Sequence, residues 1–180
     1  MSTVKIHDKT FKLSIPNEKL NEVIKRIAGE ITVNMEGKQP PLFVCILNGS
    51  FIFAADLLKE LLFPCEVSFV KMASYEGTNT TGNIKELIGF GENVEGRDII
   101  IVEDIVDSGN TMAKVVQILN EKKAKSIQIA TLFFKPEAYK KDIPLVYVGF
   151  EIPNDFIVGY GLDYDGLGRN LKDIYTWTGE

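Results

Sequence analysis

Apolar residues along the chain fall into two alternating rhythms. In "NEKLNEVIKRIAGEI", residues 17–31, Leu20, Val23, Ile24, Ile27 and Ile31 recur at three- and four-residue steps behind Pro16, which predicts an amphipathic helix. "GKQPP" breaks that pattern, and the unbroken apolar run "LFVCIL" (42–47) then predicts a buried strand. "NGS" turns the chain into a second helix over about 51–62, which Pro64 ends. "CEVSFVKMAS" predicts a strand over 65–73, and "KELIGF" another. "RDIIIVED" is a continuous apolar strand followed by the helix "TMAKVVQILNEKK". "SIQIATLFF" and "LVYVGFEI" supply further strands.

Strands alternating with helices predict an α/β fold: a mostly parallel twisted sheet, flanked by helices and buried on both faces. From residue 154 onward the texture changes to Gly, Asp and aromatic residues. This tail is expected to join the short N-terminal strand in a small hood lobe. The expected organisation is one domain over 1–180, with a core of about 17–150 and a hood from 1–12 and 151–180. "YEGTNTTGN" (75–83) is polar and rich in Gly and Thr, and reads as an exposed loop between strands.

Composition narrows the function. The chain has 180 residues, 45% hydrophobic and 25% charged, which is ordinary for one globular domain. No apolar run is long enough to span a membrane, and "MSTVKIHDKT" has no signal-peptide pattern. A net charge of −5 argues against a nucleic-acid partner, so any anion site must be built locally. With two distant cysteines, Cys45 and Cys65, and a single histidine, His7, zinc sites and histidine-based triads lose their support. Cys45 lies within an apolar run as a reduced thiol, and a cytoplasmic location is the default.

The chemistry concentrates in "IIIVEDIVDSGNTM", residues 99–112. Ligands of open α/β sheets bind beyond the carboxyl ends of strands, which is where Glu103 and Asp104 fall. One acid there reads as a solvated strand end; three within five positions, with Asp107, read as a site. Neighbouring strand residues aim apart, so the acid pair suits adjacent ligand hydroxyls better than one tightly clamped metal. The following "DSGNT" opens a helix whose free N–H groups carry partial positive charge, with Gly109 permitting close backbone approach. Ser108 and Thr111 add hydroxyls. The plain alternative is an ordinary helix cap. Phosphate-binding motifs of other kinds fail: there is no G-x-x-x-x-G-K-[ST], and "GFGENVEG" lacks the third glycine of G-x-G-x-x-G and precedes a strand.

A phosphate cradle beside acids for a diol describes a ribose-phosphate site, and "IIIVEDIVDSGNTM" closely resembles the phosphoribosyl-pyrophosphate (PRPP) motif of type I phosphoribosyltransferases. "LNGSFIFAADLL", "SYEGTNTTGNIK", "LFFKP" and "VGFEIPNDFIVGYGLDYDGLGRNL" resemble the hypoxanthine-guanine branch in order and spacing, over most of 42–171. The resemblance implies the type I phosphoribosyltransferase fold and transfer of a 5-phosphoribosyl group from PRPP to a 6-oxopurine. It implies ribose and magnesium contacts for Glu103 and Asp104, proton exchange with purine N7 for Asp107, and 5′-phosphate binding for Ser108, Gly109, Asn110 and Thr111. Leu47, Asn48, Gly49 and Ser50 match the pyrophosphate loop, whose Leu47–Asn48 peptide is expected to be cis. Ser74 and Tyr75 open the loop that closes over the reaction.

By the same resemblance, Lys135 donates to the 6-oxo group, Phe156 stacks on the base, and Ile157 contacts it through its backbone. Asp163 meets the base and a second magnesium ion, and Arg169 reaches the pyrophosphate. Asn110 stands where many relatives carry a basic or bulkier residue, and Asn48 where some have lysine or arginine, which leaves more of the pyrophosphate to Arg169 and magnesium. The implied partners are small-molecule substrates, with neither nucleic acid nor membrane, in a homo-oligomer (dimer or tetramer). A xanthine-using relative and a PRPP-binding regulatory protein are the competing readings.

Overall fold

The structure is a computed structural model that describes residues 2–74, 84–88 and 91–179. The elements run β1 (Thr3–Ile6), β2 (Lys9–Ile15), α1 (Asn17–Met35), β3 (Leu42–Leu47), α2 (Phe51–Lys59), β4 (Glu66–Ser74), β5 (Ile84–Ile88) and β6 (Asp98–Val106). After them come α3 (Asn110–Glu121), β7 (Ser126–Phe134), β8 (Tyr147–Glu151), β9 (Ile157–Val158) and β10 (Ile174–Trp177).

Two sheets form. The larger has the order β5-β4-β3-β6-β7-β8. All its neighbours are parallel except the edge strand β5, which runs antiparallel to β4. The smaller is antiparallel, in the order β1-β2-β10-β9, so it joins the N- and C-terminal segments. The mostly parallel α/β sheet and the separate small lobe both match the expectation.

Each face of the large sheet is covered, as continuous apolar strands require. On one face Phe43, Cys45, Ile100 and Val102 pack under Leu20, Ile24, Ile27 and Ile31 of α1 and Phe53 and Leu57 of α2. On the other, Val44, Ile99 and Ile101 meet Met112, Val115 and Leu119 of α3. Alternate residues of one strand therefore serve two cores. Cys45 is a free thiol, and burial pushes its pKa up to about 12, so it stays protonated and unreactive.

Several boundaries differ from the sequence pattern. The N-terminal segment forms two strands, β1 and β2, instead of one, turning at His7, whose φ is +51°. Helix α1 runs on to Met35, which is buried. Helix α2 ends at Lys59 instead of residue 62, because the N–H groups of Glu60 and Leu61 donate to the carbonyls of Leu57 and Leu58, the tighter three-residue pattern of a terminating helix. Strand β6 continues past Asp104 to Val106, since Ile105 and Val106 pair with Phe133 and Phe134 of β7. The acids at 103 and 104 thus lie inside a strand, two residues before its end. The expected loop 75–83 lies outside the described residues.

Candidate active site

The order of the large sheet creates a crevice. From β3 the chain moves outward through α2 to β4 and β5, then returns to β6 on the other side of β3 and continues to β7 and β8. Crossovers leave β3 and β6 in opposite directions, and such a switch point opens a cleft at the carboxyl ends of the strands. Pairing between β3 and β6 stops at Cys45 and Val102. Beyond it the ladder gives way to loop 47–50 on one side and the acids on the other.

Glu103 and Asp104 are both buried, at 8% and 7% exposure. Asp98, at the opposite end of the same strand, is a useful contrast at 8%. Its carboxylate accepts from Ser126 Oγ (2.6 Å) and Lys125 Nζ (2.9 Å), and these bonds hold its pKa below the usual carboxylate range. Asp98 is a satisfied structural acid. Glu103 is not: its Oε2 is buried with no hydrogen-bond partner. Burial, and then the charge of Asp104, push the Glu103 pKa well above the ordinary range. Burial also raises Asp104, although bonds from Glu103 and the Ile105 N–H and the charge of Arg169 work against it. The two carboxyls therefore interact directly, instead of diverging fully as simple strand alternation predicts.

A buried acid with an unpaired acceptor oxygen and a neighbour of like charge fits a hydroxyl donor or a cation. Magnesium suits this donor set, since it commonly takes one or two carboxylates and completes its shell with substrate phosphates and water. Among the described residues, no three Asp, Glu, His or Cys side chains gather into a metal cluster. Asp163 is engaged elsewhere, accepting from Arg169 Nη2 (2.6 Å) and from the Gly166 N–H (2.8 Å).

The cradle that follows is glycine-built. Gly109 caps α3 in a left-handed conformation, φ +81°, and the cap position makes no side-chain hydrogen bond. The plain alternative of a Ser or Thr cap is therefore not realised. A Cβ at 109 would stand 2.5 Å from the Tyr139 ring and 2.8 Å from the Lys141 stem. Lys140 N–H donates to the Ser108 carbonyl (3.3 Å), so the segment after β7 braces this turn from outside. Residues 107–112 and Glu103 line a small pocket of about 110 Å³. A larger cavity, about 390 Å³, opens beside Pro40, Pro41 and Phe63 before β3, at the opposite end of the strands, away from the acids.

Asp107 is largely exposed (58%), and its Oδ2 lies 3.9 Å from Lys135 Nζ, whose side chain is only 12% exposed. Lys135 follows β7 directly, and its N–H donates to the Val106 carbonyl, which draws the ends of β6 and β7 together. The Lys135 ammonium is thus no free surface charge.

Across the crevice, the Leu47–Asn48 peptide is cis. Ser50 is fully buried, and its Oγ–H donates to the Ile46 carbonyl (2.6 Å), so this hydroxyl turns into the protein instead of toward a ligand. Gly49 is pressed between two neighbours: an added Cβ would overlap the Asp104 carboxylate, and the Gly49 carbonyl occupies the space of a Cβ on Gly161. Arg169 Nη1–H donates to the Gly161 carbonyl (2.7 Å), so the arginine is tied to the same corner. Phe156 is half-buried in the small lobe, edge to face with Phe11 (5.7 Å) and Tyr164 (5.5 Å), and Ile157 is buried beside it in β9. Ser74 closes β4, and Tyr75 lies outside the described residues.

Sequence reasoning missed Gly161, Tyr139 and Tyr164. Gly161 and Tyr164 were signalled only by the glycines flanking aromatics in "VGYGLDYDG", which does not say what they approach, and Tyr139 by nothing in the pattern.

Comparison with known proteins agrees with this architecture. The phosphoribosyl transferase domain family matches residues 16–165. A hypoxanthine phosphoribosyltransferase from Salmonella typhimurium is 41% identical over 167 residues, covering 92% of this chain and 94% of that protein. A hypoxanthine-guanine phosphoribosyltransferase from Bacillus anthracis, solved by crystallography, superposes with a TM-score of 0.87 at 38% identity, over 92% of this chain and 97% of that one. The bifunctional protein TilS/HprT of Listeria monocytogenes is 40% identical over 170 residues, and there the chain spans only 26% of the relative's length. The chain belongs to the phosphoribosyltransferase family of enzymes. The relatives matched over nearly their whole length are named hypoxanthine or hypoxanthine-guanine phosphoribosyltransferases.

Proposed function

We propose that this protein is a purine-salvage enzyme that transfers the 5-phosphoribosyl group of PRPP to N9 of hypoxanthine, and of guanine, releasing pyrophosphate with IMP or GMP. The carrying observation is the Lys135–Asp107 pair, a donor and an acceptor 3.9 Å apart at the mouth of the crevice. A 6-oxopurine presents an acceptor, the 6-oxo oxygen, beside N7 on one edge, and this pair is complementary to that edge.

In this reading Glu103 and Asp104 hold the ribose hydroxyls, which gives the orphaned Glu103 oxygen its partner. The N–H groups at Ser108, Gly109, Asn110 and Thr111 take the 5′-phosphate at the start of α3. Leu47, Asn48 and Gly49 face the pyrophosphate with Arg169. Phe156 stacks on the base, Ile157 meets it through its backbone, and Asp163 lies at its far edge.

Bond breaking at the anomeric carbon builds positive charge on the ribose, which the nearby carboxylates stabilise. Asp107 exchanges the N7 proton, a contribution on the order of 10²–10⁴-fold for a general base. Magnesium would be held by Glu103 and Asp104, with a second ion at Asp163 competing with Arg169 for that carboxylate, and would supply positive charge that offsets the leaving group. A cytoplasmic setting is supported by two free thiols.

The test is a panel of hypoxanthine, guanine, xanthine, adenine and uracil, each with PRPP and magnesium, followed for nucleotide formation. Nucleotide from hypoxanthine and guanine is expected. Product from xanthine alone, or from none of the five, would overturn the reading.

A further inference from the structure

Tyr160 belongs to the C-terminal tail, yet its ring is buried in the core of the large sheet, in one cluster with Leu20, Phe53 and Leu57. Its backbone has φ +48°, a conformation rare for a bulky residue. The phenol O–H donates to Asp56 Oδ2 on α2, and Asp56 Oδ1 accepts from Lys59 Nζ (2.6 Å). Burial, and then Asp56 itself, push the phenol pKa up, so this group remains a donor at every working pH.

The neighbours of this bond lie on two sides of one gap. Helix α2 begins at Phe51, directly after loop 47–50, so Asp56 reports on where that loop is anchored. Gly161 follows Tyr160, lies against the Gly49 carbonyl, and accepts from Arg169 through its own carbonyl. A second tie joins the Gly161 N–H to the Arg169 carbonyl (3.0 Å), and the Tyr160 N–H donates to the Leu171 carbonyl (2.7 Å). The Tyr160–Asp56 bond is therefore a side-chain link from the strip carrying Arg169 to the helix carrying the loop.

We infer that Tyr160 and Asp56 are positioning residues that set the gap between loop 47–49 and Arg169, and so tune affinity for the pyrophosphate group of substrate and product. The inference rests on the proposed phosphoribosyl transfer, since it assigns that group to this gap. Neither side chain need touch the ligand. Lys135 and Asp107, the pair that reads the edge of the base, stand at the ends of β7 and β6 outside this link, so pyrophosphate-bearing ligands should feel the gap more than hypoxanthine does.

The experiment compares wild type with Tyr160→Phe, which keeps the ring and loses the hydroxyl, and with Asp56→Leu and Asp56→Asn. KM is measured for PRPP and hypoxanthine in the forward direction and for pyrophosphate in the reverse. Tyr160→Phe and Asp56→Leu are expected to raise both KM values for PRPP and pyrophosphate about tenfold. KM for hypoxanthine and kcat should stay within about twofold, a split that general loosening of the fold would not produce. Asp56→Asn retains a carbonyl oxygen that accepts from the phenol, and should keep most of the wild-type affinity. An active wild type whose Tyr160→Phe form has unchanged pyrophosphate KM, or loses base and pyrophosphate affinity equally, overturns this inference alone. A wild type that forms no nucleotide from PRPP overturns the proposed function and this inference together.

Discussion

The carboxylate of Asp104 fills the space that a side chain at position 49 would need. Only glycine lets loop 47–50 lie against the acid strand, so the two walls of the crevice are in contact without an intervening side chain. Gly49→Ala must displace either the loop or Asp104. The expected result is a fall in kcat/KM for PRPP on the order of 100-fold, about 2.7 kcal/mol of transition-state stabilisation. Steady-state kinetics with PRPP varied checks it. An unchanged value would show that the contact has no bearing on substrate.

Glu103 gives a pH-dependent prediction. Its pKa is raised in the folded protein by burial and by Asp104, so the native state binds this proton more tightly than the unfolded chain does. Stability from this group is fully present below the unfolded pKa, near 4.3, and is lost as pH rises through the higher folded value. Glu103→Gln is neutral throughout and escapes that loss. In metal-free buffer the variant should match wild type near pH 4 and exceed it in Tm toward neutral pH, by about 2–4 °C per kcal/mol. A difference that is constant across pH, or of the opposite sign, would show that the buried pair does not titrate in this way.

Asp107 lies between the buried acids Glu103 and Asp104 and the start of α3, and its carboxylate faces Lys135. Asp107→Asn preserves shape and hydrogen-bonding capacity while removing the base. The variant should lose on the order of 10²–10⁴-fold in kcat with hypoxanthine, while PRPP affinity changes little. A kcat that is the same as wild type across the pH range would remove Asp107 from the chemistry.

In the proposed reaction Lys135 is the residue assigned to the choice of base. An ammonium can only donate, so it complements a 6-oxo acceptor and confronts the amino group of adenine with a second donor. Because Lys135 is nearly buried, an unpaired donor there costs roughly 1–3 kcal/mol, and the proposed function takes its discrimination from that cost. In Lys135→Met, kcat/KM for hypoxanthine should fall steeply, while the poor adenine rate changes little or rises. Equal losses for both bases would mean that Lys135 supports β6 and β7 instead of reading the purine.

The apolar rhythms alone determined the alternation of strands and helices, because periods of two and of three to four residues are local consequences of backbone geometry. Continuous runs such as "LFVCIL" also announced burial on both faces, and the three acids beside small residues marked the chemical end of β6. Those signals are local, and they survive without any partner.

What the chain order could not express is which surfaces meet across it. Whether β6 stops at Asp104 or runs to Val106 depends on pairing with β7. Whether Asp98 or Glu103 is the unsatisfied acid depends on Ser126 and Lys125 reaching one and nothing reaching Oε2 of the other. Gly49 meets Asp104 and Gly161, and Tyr160 meets Asp56, across sequence separations that no periodicity records. Tertiary structure decided these contacts because close approach and desolvation are properties of pairs in space, and a residue's partner, more than its type, determines whether its charge is structural or held ready for a ligand.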